Sequence, residues 1–113
     1  MTAFISNFAM HFAWMQETVQ EVNKANGFSA EHADIVMDKL REEVDELQMA
    51  INGYHFRTNG ASEHIPTISA TAEELADICI VAMFAAAERG IDLGAAIEAK
   101  VSYNRGRGYR HGR

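Results

Sequence analysis

Apolar residues recur every three or four positions along four separate stretches of this chain, which is the spacing of amphipathic helices. In the first stretch Phe4, Phe8, Phe12, Met15, Val19 and Val22 predict a helix from about Ala3 to Lys24, stopped by Asn26-Gly27. Ser29 is placed to cap a second helix that runs to about Ile51, with the stripe Ala33, Val36, Leu40, Val44, Leu47 and Ile51. A third is expected from near Thr71 to just before Gly90, on Leu75, Ile78, Cys79, Ala82, Met83 and Ala86. Thr71 and Glu74 have capping-box spacing there. Asp92 can cap a fourth, where Leu93, Ile97 and Val101 face inward and the end falls near Asn104.

No stretch alternates as a strand would, and no internal repeat extends beyond a few residues. Residues 54–70 hold Asn59, Gly60, Pro66, His55 and His64 without periodicity. They predict a surface loop, longer than most passive connectors; a lid is one reading and plain solvent exposure another. The fold class expected is therefore all-α, a four-helix arrangement in one domain over residues 1–113.

Charge changes the picture more than composition does. The net charge is −6, but Lys100, Arg105, Arg107, Arg110 and Arg113 close the chain with no acid among them. All 16 acids and only five bases precede Lys100. An acidic body suits metal cations and a basic tail suits phosphates, while a nucleic acid polymer would be repelled. One cysteine, Cys79, rules out a disulfide framework, and its phase with Ile78 and Met83 places it in the core. No apolar run approaches a membrane span, and the N-terminus lacks the layout of a signal peptide. A cytoplasmic protein without membrane association is expected.

The acids fall in a pattern. Glu43 and Glu46 are three apart on the second helix, and so neighbours on one face. Val36, Leu40, Glu43 and Leu47 follow at spacings of four, three and four, which sets Glu43 inside the apolar stripe. Glu74 and Asp77 repeat the spacing on the third helix, beside Ile78 and Val81. An isolated ExxE is usually a solvated face. Two such pairs at a core edge repel one another unless a cation joins them, and carboxylate oxygens select a hard divalent ion. Lys39, one turn before Glu43, has two readings: a phosphate contact or a salt bridge to Glu43.

With these motifs the chain resembles the MazG-like family of all-α nucleoside triphosphate pyrophosphohydrolases, in its bacterial and phage branch. The resemblance is carried by Glu43-Val-Asp-Glu46 and Glu74-Leu-Ala-Asp77, with 27 residues between them. Gly90-Ile-Asp-Leu93, Lys100-Val-Ser-Tyr-Asn104 and the tail Arg107-Gly-Tyr-Arg-His-Gly112 add to it, with Gly108 where the branch has proline. It implies hydrolysis of a (d)NTP between its α and β phosphates, for nucleotide pool control or house-cleaning.

The resemblance further implies a Mg²⁺ site, with Mn²⁺ as a substitute, on Glu43, Glu46, Glu74 and Asp77. Catalysis would fall to Glu43 and Glu42, the latter as general base. Lys39, Lys100, Asn104, Arg107, Tyr109, His111 and Trp14 would bind substrate. Trp14 has the further reading of a core or interface residue, and His11 that of a surface histidine. A homodimer or homotetramer is expected to complete the bundle. The alternative is a non-catalytic nucleotide- or partner-binding module of the same fold.

Overall fold

The computed structural model describes residues 6–30, 32–53, 65 and 67–107. Among these there are four α-helices and no strand: α1 (Asn7–Ala25), α2 (Ala33–Ile51), α3 (Ala70–Glu88) and α4 (Leu93–Arg107). The all-α expectation holds, and the helix ends show where local chemistry differs from the first reading. The Ser6 hydroxyl caps α1 by accepting from the Ala9 N–H at 3.0 Å, and it donates to Glu98 on α4 at 2.7 Å. Gly27, at φ +83°, closes the turn after α1 in a conformation that strains any L side chain.

Ser29 does not cap α2. The helix starts after His32, which makes no side-chain cap. The residues before it are held by α3 instead: Ala30 is buried, and its carbonyl accepts from Arg89 at 2.9 Å. Nor does Thr71 cap α3, because Ser69 does so by accepting from the Ala72 N–H at 3.1 Å. That leaves Glu74 free of capping duty and able to face the neighbouring helix. Asp92 caps α4 as expected, accepting from the Ala95 N–H at 3.1 Å. The helix then runs past Asn104 to Arg107.

α3 is the hub. It lies against α1, α2 and α4; α1 also lies along α4, while α2 meets α3 alone. The Gln16 amide donates to the Ile91 carbonyl at 2.7 Å and the Gln20 amide to Glu88 at 2.8 Å, so α1 runs antiparallel to α3. Val19, Ala30, Val36 and Phe84 form the buried centre where α1 and α2 cross α3, with Leu40 and Val81 packed beside them.

Only part of each predicted stripe is covered. Val19 and Val36 are buried, but Phe8, Met15, Val22, Val44, Ile51, Leu75 and Val101 are exposed. Cys79 is exposed too, contrary to its expected place in the core. The reason is that α2 has a single helical neighbour, so the outer parts of the α2 and α3 stripes meet nothing among the described residues. A radius of gyration of 16.5 Å agrees, since a compact chain of this length has about 13 Å. Among the described residues no helix is long and apolar enough to cross a membrane.

Candidate metal centre

The α2–α3 pair carries the acids. Each helix presents two carboxylates one turn apart, and antiparallel pairing sets the Glu43–Glu46 edge against the Glu74–Asp77 edge. One oxygen from each of the four lies within 4.8 Å of all the others. Glu43 is 4% exposed, while Glu46 and Glu74 are half-buried. Lys39 reaches Glu43 Oε1 at 3.1 Å and Glu42 at 3.8 Å. Of the two readings of Lys39, the salt bridge is the one this structure displays.

One lysine does not satisfy the cluster. Glu43 Oε2 and Glu74 Oε2 are buried with no hydrogen-bond partner. Burial, then repulsion from Glu43, then a hydrogen bond with Glu74 push Glu46 up to about 7. Burial, then Glu43 and Glu74, push Asp77 up to about 6. At Lys39 partial burial opposes the charge, but the Glu43 hydrogen bond and the surrounding acids outweigh it and raise its pKa.

Carboxylates gathered this closely raise one another's pKa, and a divalent cation would offset that repulsion. A six-coordinate magnesium ion has ligand oxygens up to about 4.2 Å apart, so the ring fits a hard divalent cation after a small contraction. Two orphaned carboxylate oxygens supply the donors.

The remaining candidates lie elsewhere. Glu42 is exposed on the solvent side of α2, beside Lys39. Trp14 is 64% exposed on α1, and His11 is exposed on the same helix. Lys100, Asn104 and Arg107 sit on α4, which does not touch α2. Lys100 Nζ and the Arg107 guanidinium lie 5.1 and 5.2 Å from the centre of the Tyr103 ring. Asn104 Oδ1 is buried without a partner. Tyr109 and His111, and His55 and His64 of the expected loop, lie outside the described residues.

A cleft of about 340 Å³ opens from the cluster between α1, α2 and α3, and Asn23 and Phe28 line it with Glu43 and Asp77. Neither belongs to a predicted apolar stripe or acidic motif. Phe28 follows the Asn26-Gly27 stop, where a large apolar residue outside any stripe was the available signal.

Compared with known proteins, residues 8–102 match the family profile described as phosphoribosyl-ATP pyrophosphohydrolase. Neither the curated proteins nor the solved structures gave a match.

Proposed function

The chain belongs to the phosphoribosyl-ATP pyrophosphohydrolase family, and on that premise we propose that it hydrolyses phosphoribosyl-ATP to phosphoribosyl-AMP and pyrophosphate with Mg²⁺ held by Glu43, Glu46, Glu74 and Asp77. The observation that carries the reading is the ring of four carboxylates with two buried, unbonded oxygens. Family membership makes the chain a pyrophosphohydrolase. It favours phosphoribosyl-ATP over general trimming of the deoxynucleotide pool, and leaves the non-catalytic alternative with no observation in its favour.

When bound, the cation supplies Lewis-acid polarisation of phosphate oxygens and counter-charge for the departing pyrophosphate. The protein's own groups do the rest. Lys39 holds Glu43 Oε1, leaving Oε2 buried without a hydrogen-bond partner among the described residues. Glu42 stands outside the ring on the same turn, and the family resemblance makes it the acid that would take the proton of the attacking water. Water oxygen joins the α-phosphorus, the bond from that phosphorus to the bridging oxygen breaks, and pyrophosphate leaves with the electron pair.

The proposal extends to the assembly. Lys100, Asn104 and Arg107 are the phosphate contacts expected from the resemblance, yet α4 does not meet α2 within the chain. The uncovered apolar faces of α2 and α3 invite a second copy, a homodimer or a pair of dimers, whose α4 would bring those groups to the ring.

The test is turnover. Pure protein with Mg²⁺ and phosphoribosyl-ATP, with ATP, dCTP and dUTP in parallel, should release monophosphate and pyrophosphate, with phosphoribosyl-ATP the preferred substrate. EDTA should abolish the reaction, and Glu43→Gln should lower kcat/KM by more than about 100-fold. A diphosphate with orthophosphate would mean a different bond is cut, and turnover indifferent to EDTA would remove the metal from the reading.

A further inference from the structure

Two members of the acidic ring, Glu43 and Asp77, also line the cleft. Lys39, Glu43 and Asp77 form one end of that space. A substrate held by its phosphates on the ring therefore continues into it. Away from the acids the walls change character: Phe28, Ile35, Ile80 and Phe84 are apolar. Asn23 is set among them, and its carboxamide makes no hydrogen bond to a described residue. The Phe28 N–H donates to the Asn23 carbonyl at 2.9 Å, which fixes the two residues side by side at the end of α1.

A nucleobase has apolar faces and polar edges, and a cleft that starts at a phosphate-binding cluster and offers a phenyl ring beside a carboxamide matches both. We infer that this cleft is the base site, and that it takes adenine, with Phe28 against the ring face and Asn23 on the N6–N7 edge. The inference rests on the pyrophosphohydrolase reading above and names how that site selects its substrate.

The asparagine carboxamide donates to N7 and accepts from the N6 amino group, a two-point match to the Hoogsteen edge of adenine. It uses neither N1 nor N3. An adenine substituted at N1, as in phosphoribosyl-ATP, is therefore read as well as a plain one. Phe28 and Ile35 are both about half-exposed, so the cleft is open to solvent and has room for the extra ribose to extend out of it. A second copy of the chain could also cover these two residues, but an interface would bury the Asn23 carboxamide and require a partner for it.

The experiment is calorimetric titration in Mg²⁺ with three probes: α,β-methylene-ATP, its 7-deaza counterpart, and inorganic tripolyphosphate. The methylene bridge blocks cleavage, the deaza ring lacks the N7 acceptor, and tripolyphosphate lacks the nucleoside. The natural chain should bind α,β-methylene-ATP at least about 10-fold more tightly than tripolyphosphate. Phe28→Ala and Asn23→Ala should each lower that affinity about 10-fold and leave tripolyphosphate binding unchanged. The 7-deaza probe should bind the natural chain more weakly than its parent, and bind Asn23→Ala as its parent does.

Ile35→Trp, which fills the cleft from an exposed position, should reject the nucleotide while still binding tripolyphosphate. Equal affinity for nucleotide and tripolyphosphate, or indifference of the nucleotide to all three substitutions, would overturn the base site and leave the phosphate site standing. A change in sedimentation with Ile35→Trp in that case would assign the cleft to a second copy. Failure of the natural chain to bind any probe in Mg²⁺ would overturn the pyrophosphohydrolase reading itself.

Discussion

A buried polar atom with no partner costs on the order of 1–3 kcal/mol, and Glu43 and Glu74 each carry one in the same ring. The cost appears as a dependence on pH in the metal-free protein. Glu46 rises from 4.5 to about 7 and Asp77 from 3.8 to about 6, both first through burial and then through neighbouring acids. Between those values the folded chain binds more protons than the unfolded one, so stability falls as pH rises through the window and levels off above about pH 7. A divalent cation replaces the protons and should matter most where they have left. Thermal melts with EDTA should therefore give a lower Tm at pH 8 than at pH 5. Added Mg²⁺ should raise Tm by several degrees at pH 8 and by much less at pH 5. An increment equal at both pH values would show that the ion binds away from these acids. The ring was legible in the sequence because helical spacing alone sets i and i+3 on one face. Asn23 and Phe28 were not, since their meeting with Ile80 and Phe84 depends on how α1 crosses α3, which no local pattern encodes.

At the scale of elements, the helices were legible and their starts were not. Period and turn residues fix a helix in outline, but Ser29 for α2 and Thr71 for α3 are good caps on paper and neither is used. Arg89 pins the Ala30 carbonyl ahead of α2, a tertiary contact, while at α3 the local bond from the Ala72 N–H goes to Ser69. The α1–α4 crossing is equally invisible from sequence. It depends on Gly94, where a Cβ would lie 2.9 Å from Phe12 Cβ. That neighbour sits at the root of its side chain and cannot swing aside, so room must come from separating the helices. Gly94→Ala should cost about 1–3 kcal/mol by urea denaturation. The loss should spread to the Ser6–Glu98 and Gln16–Leu93 bonds that join the same helices. An alanine variant as stable as its parent would mean that α1 and α4 are not held at this distance in solution. The metal ring lies on α2 and α3, so its affinity for Mg²⁺ should change little.

For the whole molecule, the question is what the uncovered stripes are for. Val44 and Ile51 on α2 and Leu75 on α3 repeat at helical spacing, yet α2 has one neighbour where a bundle helix has two or more. The sequence foretold apolar faces; it could not tell which would meet their own chain and which another. If a second copy covers them and its α4 supplies the cations, each site draws its acids from one chain and Lys100 and Arg107 from the other. Symmetry then makes a sharp prediction. Glu43→Gln and Lys100→Ala homo-oligomers should both be poorly active, because every site lacks one of its parts. Unfolded together in equal amounts and refolded, half of the resulting dimers pair one variant with the other. In each of those one site receives both substitutions and its twin receives neither, so the mixture should recover about a quarter of natural activity. If each chain instead carries a whole site, no intact site can form by mixing. The refolded mixture would then show only the average of the two variants, and the sharing of α4 between copies would be wrong.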